Sequence, residues 1–566
     1  MYELTDYTFP EIIEKSTVRY ADRPVFGMVG GRTVTYGELG AKTLRVAGIL
    51  QAYGLAKGDR VAILSESSPA WGISYLGTTR TGIILVPILT DFTPEQIANI
   101  LEHAGAKAIM VSRRFLAKVD SESTRRILLA VEDTGFIAGP KGTKVLTESD
   151  IREAIQNFKV PLVAADDTLE IVYTSGTTGL SKGVMLSHRN IISNAIACRS
   201  IIILHRLDRL LSILPLAHTY EFTIGFTIPL LAGSAMYYMD KPPSATALLP
   251  ALKTVRPTIM LSVPLVIEKI CRSSVKPALE AIKLYQKPFF KPILEFLAGI
   301  KLKNTFGGHI RFFGVGGAPL SPDVEKLLKT ARFPYAIGYG LTETSPLLAG
   351  CNPAKTRLGS TGPALKGVSI RIADPRPDSR EGEIQAKGPN IFKGYFNDPI
   401  RTREAFTEDG WFKTGDLGFV DTRGKLFVRG RLKNMILGAS GENIYPEEVE
   451  AVINSSPYVN ESLVYGDESG LTALIHLKPE VWENLEARLK DSIEGAGEAA
   501  SRLGHAVTDA EKTAEKTASQ ILDKIKKEAN ERLAAFSRIG KVKIQKEPFE
   551  KTPTQKIKRF LYPKKE

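Results

Sequence analysis

Cysteine is scarce in this chain: three residues in 566, at positions 198, 271 and 351. So far apart and odd in number, Cys198, Cys271 and Cys351 offer neither a disulfide framework nor metal-ligand spacing, and they read as packing residues in a reducing compartment. The first ten residues lack the basic start and apolar core of a signal peptide. Long uncharged runs are also nearly missing. The one candidate, 222–239, contains Gly225, Pro229 and Gly233 and has no cationic flank at its start. It reads as a buried helix, a turn at Ala232-Gly233 and a buried strand rather than a membrane span. The net charge of +13 has a basic excess after Arg538, which suits anionic lipid, a phosphate-bearing substrate or a solvated surface. No zinc-finger spacing or RNA-binding signature accompanies it, so nucleic acid is not an expected partner.

What is present is an ample apolar fraction, 43%, in a chain too long for one ordinary domain. Short apolar runs at 33–36, 59–64, 83–88 and 108–111 alternate with amphipathic stretches, the pattern of an open α/β sheet with helices on its faces. His103 falls in one of those helices and reads as a surface residue.

The stretch 173–183 packs five hydroxyls (Thr174, Ser175, Thr177, Thr178, Ser181), three glycines (Gly176, Gly179, Gly183) and Lys182 into eleven residues. Glycines let backbone N–H groups turn toward an anion, hydroxyls donate from the sides, and lysine adds a movable charge. Leu169, Ile171 and Tyr173 alternate ahead of it as a strand would, and 184–186 follows as another. A Walker loop needs Gly before the lysine and Ser or Thr after it; here Ser181 precedes Lys182 and Gly183 follows. Alone, the stretch predicts a polyphosphate cradle, with a flexible linker as the bland alternative.

Other stretches carry weaker signals. His218 stands beside Tyr220 and Glu221, either as a structural histidine or as part of a polar cluster bordering an apolar cavity. Segment 284–303 mixes aromatic and aliphatic residues with lysines, either a membrane-interface segment or an ordinary amphipathic surface. The small residues from Gly314 to Pro319 leave room for a flat ring against backbone, or form a tight turn. In 336–346, Tyr339 offers a stacking face, and Thr342 and Glu343 offer oxygen ligands for a hard cation such as Mg²⁺. Asp416, between Gly415 and Gly418 in an expected turn, could accept from ribose hydroxyls or cap the turn. Residues 430–434 read as an interdomain joint, and the chain ends in a smaller, more charged region that includes the run Pro553 to Arg559.

Taken in order, YTSGTTGLSKG, GGAPL, YGLTET, WFKTGDLG, GRLKN and PTQKIKR, together with LPLAHTYE and GASGENIYPEEVE, resemble the adenylate-forming superfamily, and most of all its bacterial long-chain fatty acid:CoA ligases. The resemblance implies a mixed α/β architecture: a large N-terminal domain of layered sheets and helices over 1–429, and a small mobile α+β domain over 430–566. It places a hinge at 431–434 and a charged helical insertion near 480–535. It implies ATP, Mg²⁺ and coenzyme A as cofactors and a fatty acid as substrate, in a cytoplasmic protein. Contact with the inner face of the membrane and a homodimer stay open.

By motif position, the resemblance assigns Lys556, Lys182 and His218 to catalysis. It gives Thr174, Ser175, Gly176, Thr177, Thr178, Gly179, Gly317, Ala318, Pro319, Gly338, Tyr339, Gly340, Thr342, Asp416 and Arg431 to the nucleotide, and Thr174 and Glu343 to the metal. Lys433 becomes the hinge, and Ser440, Gly441 and Glu442 face coenzyme A. Three features depart from the pattern. Asn434 follows Lys433 where many relatives have aspartate, Leu437 and Asn443 stand where some have lysine and tryptophan, and 495–519 looks longer than usual. An acyl carrier protein as acceptor, an aromatic acid as substrate, or an inactive nucleotide-binding scaffold are the alternatives.

Overall fold

The computed structural model describes the chain apart from residues 1, 123, 175–181, 378, 438–442, 468–469, 484–504, 553–556 and 563–566, and apart from the side chains of 245, 443 and 505–517. Its contacts divide the chain into two compact units. The first comprises 1–320, 324–414 and 419–427, and the second 321–323, 415–418 and 428–566.

Two eight-stranded sheets build the first unit. One runs in the spatial order Thr33–Thr35, Pro24–Met28, Ala235–Tyr238, Arg209–Ser212, Ile259–Ser262, Phe312–Val315, Tyr335–Gly340, Leu347–Gly350. Its interior pairs are parallel, and only the two outermost strands run antiparallel to their neighbours. The other follows the order Gly394–Tyr395, Lys182–Ser187, Thr168–Thr174, Ile84–Ile88, Arg60–Leu64, Ala108–Val111, Ile127–Ala130, Phe136–Ala138; it is parallel from Thr168–Thr174 to Ile127–Ala130, and antiparallel in its first two pairs and its last. A four-stranded sheet orders Ser369–Ala373, Gly382–Lys387, Phe412–Val420 and Leu426–Arg431.

The helices between strands start where the sequence says they should. Thr35 and Glu38 close a capping box on helix Tyr36–Ala52, and Thr93 and Gln96 do the same for Pro94–Ala104, which stops at left-handed Gly105. Parallel strands covered on both faces need apolar side chains on both. Strand Thr168–Thr174 is accordingly buried from Leu169 through Tyr173, not alternately as its sequence suggests. The one acid it carries, Glu170, accepts from the Tyr75 hydroxyl at 2.7 Å, and burial pushes its carboxyl up to about 7.

Residues 222–239 fold as expected. A buried helical segment, Glu221–Thr227 continued by Ile228–Ala232, ends at left-handed Gly233 and leads into strand Ala235–Tyr238. Phe222 and Phe226 stack there, with Phe9 and Tyr75 against the first and Phe26 against the second. No helix among the described residues is long and apolar enough to cross a membrane.

The second unit is α+β. Strands Val459–Asp467, Gly470–Leu477 and Ile539–Ile544 form its sheet, over which helices Pro446–Ile453 and His505–Asn530 contribute Val449, Ile453, Leu522, Ile525 and Ala529 to one core. The last three fall at the helical spacing their sequence shows.

Buried His188 makes the first unit acid-sensitive. Its Nδ1 accepts the Phe9 backbone N–H at 3.2 Å, and burial pulls its pKa down to about 3. Well above pH 6.5, from about pH 7.5 upward, the ring is neutral whether folded or unfolded and contributes no pH dependence. As pH falls from about 6.5 toward 3, the unfolded chain takes up a proton that the folded one refuses, so stability drops. Between pH 6.5 and 5 this residue accounts for a loss of roughly 2 kcal/mol. Urea unfolding at the two pH values should therefore show a smaller acid loss in His188→Gln than in the natural chain; equal losses would count against it.

Candidate active site

The hydroxyl- and glycine-rich loop is launched and received by one antiparallel pair. Strands Thr168–Thr174 and Lys182–Ser187 are in register so that Thr174 lies opposite Lys182 and Tyr173 opposite Gly183. Residues 175–181 between them, including Ser175, Gly176, Thr177, Thr178 and Gly179, lie outside the described residues. Gly183 belongs to the strand ladder and not to a cradle: its carbonyl accepts the Phe396 N–H at 2.7 Å. The base of the pair is tied to a helix end, where His103 Nδ1 meets the Tyr173 hydroxyl at 2.7 Å. His103 is exposed, as its helical position suggests, but it is a tether for this strand.

On the free edge of the Lys182 strand lies Gly394–Tyr395, with Tyr395 opposite Val184. Lys182 Nζ sits 5.1 Å above the centre of the Tyr395 ring, and the Tyr395 hydroxyl donates to Glu343 Oε1 at 2.9 Å. One aromatic residue thus joins the lysine to the carboxylate. Sequence reasoning missed Tyr395, because a two-residue strand in an aromatic run has no periodicity to mark it.

Glu343 and Thr342 occupy a single helical turn, Thr342–Thr344, that follows strand Tyr335–Gly340 and packs on the Lys182 strand. The turn is held from several sides. Asn390 Nδ2 donates to the Thr344 carbonyl at 2.8 Å, Thr223 Oγ1 to the Ser345 carbonyl at 2.9 Å, and the Phe392 N–H to the Glu343 carbonyl at 2.9 Å. Gly340 admits nothing larger than hydrogen, since a Cβ there would lie 1.8 Å from the Pro346 carbonyl oxygen. Gly338 precedes it on the same strand, and Tyr339 between them is only 9% exposed. The open stacking face expected of Tyr339 is therefore a small accessible portion of a largely buried ring.

The small residues after strand Phe312–Val315 serve two purposes. Gly314 and Gly316 make room for the chain's own Tyr220: a Cβ on either would come within 2.9 Å of its hydroxyl or 3.1 Å of its Cζ. The flat ring seated at those two positions is the Tyr220 side chain. Gly317, Ala318 and Pro319 turn outward and are exposed just beyond the carboxyl end of the strand, the side on which open α/β sheets bind ligands.

His218 is half-buried, and its Nδ1 accepts the Tyr220 backbone N–H at 3.2 Å, which places the proton of a neutral ring on Nε2. That bond satisfies the first turn of the following helical segment, so the structural use of His218 is visible. Next to it, burial pushes the Glu221 carboxyl up to about 8, so at neutral pH it is an uncharged acid beside Ser212 and Tyr238.

The second unit holds the other candidates. Asp416 lies in strand Phe412–Val420 and not in a turn, which corrects that expectation; it is buried, and its Oδ1 pairs with Arg431 Nε at 2.9 Å. The expected ribose pair is thus a joined pair. Lys433 is exposed in the single turn Leu432–Asn434, and the Asn434 amide donates to Glu447 Oε1 at 2.7 Å. An aspartate at 434 would set two carboxylates together, so the departure from the family pattern has a local reason. Ser440, Gly441, Glu442 and Lys556 lie outside the described residues. The segment carrying Lys556 is bounded by two anchors, Lys551 on Glu461 and Arg559 on buried Glu450, which also accepts the Val464 N–H at 2.7 Å.

This chain belongs to the AMP-binding enzyme family, whose model matches residues 13–396. It is 30% identical over 569 residues to the long-chain-fatty-acid–CoA ligase FadD15 of Mycobacterium bovis, covering 93% of this chain and 90% of that one. It is also 30% identical over 461 residues to 4-coumarate–CoA ligase 3 of Oryza sativa subsp. japonica, covering 77% and 75%. Among solved structures, ATP-bound MatB from Rhodopseudomonas palustris aligns over 98% of each chain with a TM-score of 0.72 at 26% identity.

The turn that carries Glu343 depends on the missing side chain at 340. Gly340→Ala should destabilise the first unit by at least about 2 kcal/mol, because the obstacle is a backbone carbonyl that cannot rotate away. Thermal unfolding measures this; an unchanged midpoint would mean that the turn has room to shift.

Proposed function

We propose that this protein activates a carboxylic acid with ATP and transfers the acyl group to coenzyme A, and that the acid is a long-chain fatty acid. The observation that carries the reading is the Lys182–Tyr395–Glu343 cluster at the mouth of a hydroxyl- and glycine-rich loop, in a chain of the AMP-binding family. In the first step a carboxylate oxygen attacks the α-phosphorus. The bond from that phosphorus to the bridging oxygen of the β-phosphate breaks, and pyrophosphate leaves. In the second, the coenzyme A thiolate attacks the acyl carbonyl and AMP departs.

Lys182 and the loop hydroxyls would bind the leaving phosphates, with the face of the Tyr395 ring positioning the lysine. Glu343 keeps one oxygen occupied by Tyr395 and has the other available for a cation. A single carboxylate with the Thr174 hydroxyl fits Mg²⁺, which is commonly held by one or two carboxylates plus substrate phosphates rather than by a protein cage. When bound, Mg²⁺ supplies charge neutralisation on the phosphates.

Gly317 to Pro319 and the accessible part of Tyr339 would face adenine, and Asp416 with Arg431 would face ribose. His218 would border the acyl group through Nε2, since Nδ1 is taken. Lys556 would hold the carboxylate and α-phosphate, Lys433 would be the pivot between the two steps, and Ser440 to Glu442 would face coenzyme A. An aromatic acid is the second reading, favoured by the 4-coumarate ligase relative at the same identity.

Pyrophosphate–ATP exchange across a series of acids tests both. The proposal expects exchange that requires an acid and rises with chain length, each added methylene contributing up to about 0.8 kcal/mol of binding while it stays buried. Preference for 4-coumarate or benzoate would overturn the long-chain assignment, and no exchange with any acid would overturn the activity. Lys556→Ala should lower exchange by on the order of 10²- to 10³-fold. Tyr395→Phe should lower it about tenfold, by releasing one charge-assisted hydrogen bond on Glu343.

A further inference from the structure

Helix Lys291–Thr305 carries two apolar faces, and only one of them is covered. Glu295, Gly299 and Leu302 are buried, and Leu294 and Ala298 pack on the core around Phe306 and Phe313. On the opposite side Ile293, Phe296, Leu297 and Ile300, at the spacing i, i+3, i+4, i+7, are between 38% and 53% exposed. Just ahead of the helix, Phe289 is 75% exposed, and Leu284 is exposed as well. Scattered exposed hydrophobics need no explanation, but a contiguous helical stripe extended by an exposed phenylalanine does.

The charge around the stripe identifies what covers it. Between Lys269 and Lys303 the sequence has eight lysines and arginines against two acids, Glu280 and Glu295, a net of +6. Glu295 points inward and accepts the Tyr285 hydroxyl at 2.9 Å, which leaves the outer surface more basic still. Lys287 and Lys291 flank the stripe at its start, and Lys301 at its end, all exposed. Their aliphatic stems can lie along apolar surface while the ammonium groups reach a plane of anions.

We propose that this face docks on an anionic phospholipid surface. The helix lies in the plane of the interface, with Phe289, Ile293, Phe296, Leu297 and Ile300 inserted at the level of the acyl boundary and the lysines on the headgroups. A second copy of the chain fits less well, because a two-fold pairing of antiparallel helices would bring Lys291 of one onto Lys301 of the other, like charge on like. The inference goes beyond the proposed activity and does not depend on which acid is used.

The test is sedimentation of the full chain with vesicles of phosphatidylcholine and phosphatidylglycerol in equal parts, against vesicles of phosphatidylcholine alone. The expected result is binding to the anionic vesicles that weakens with salt. Phe289→Glu with Leu297→Glu, and separately Lys287→Glu with Lys301→Glu, should each weaken it roughly tenfold or more. All four positions are exposed, so unchanged thermal midpoints and unchanged pyrophosphate exchange with a soluble acid are expected in both variants. Binding no greater than in vesicle-free controls, or binding indifferent to both variants, would overturn the proposal. So would a concentration-dependent dimer that Leu297→Glu abolishes, because the stripe would then belong to a second copy.

Discussion

The register that sets Thr174 opposite Lys182 is the constraint on which the rest of the site depends. It fixes both ends of the loop to two paired interior strands of an eight-stranded sheet. The same Lys182 strand offers its outer edge to Gly394–Tyr395, and that edge pairing puts a phenol between lysine and carboxylate. Were the register to slip by one residue, Lys182 would turn to the other face of the sheet and lose Tyr395. Lys182, Tyr395 and Glu343 therefore form one cluster, although they come from three separated parts of the chain.

Burial of the sheets on both faces has its own electrostatic consequences. Glu170 and Glu221 are pushed up to about 7 and about 8, and His188 is pulled down to about 3, each by desolvation. Glu221 and His188 are thereby mostly neutral at physiological pH and Glu170 is ionised only in part, in an interior where a full charge would be costly. The groups proposed to meet phosphate lie elsewhere, at strand ends and in partly exposed turns. Charge is concentrated where an anion can reach it and suppressed where none can.

Much of this was legible in the sequence, for reasons that differ by element. Strands such as Arg60–Leu64 and Ala108–Val111 announce themselves because parallel strands are apolar on both faces, and Gly233 marks a turn because it adopts a left-handed conformation. The strands on either side of 175–181 were also expected, and they are Thr168–Thr174 and Lys182–Ser187. Tyr395 was not, because its role comes from an edge pairing between residues more than two hundred apart. Gly314 and Gly316 were read correctly as making room for a ring, but sequence cannot say whose ring, and it is Tyr220. Asp416 looked like a turn residue because of Gly415 and Gly418, yet it sits in a strand whose partner in charge, Arg431, lies fifteen positions on. The mixture of rings and lysines near 290 was visible, whereas the division of one helix into a covered and an uncovered apolar face is a property of packing.

The account stands or falls on where the acid's oxygen goes. With a carboxylic acid labelled with ¹⁸O in both carboxyl oxygens, ATP and coenzyme A, attack on the α-phosphorus leaves one labelled oxygen in AMP when the thiol displaces it. Mass spectrometry of the products should find that label in AMP and none in pyrophosphate. Label in inorganic phosphate or pyrophosphate, or acyl-CoA formed with unlabelled AMP, would contradict it.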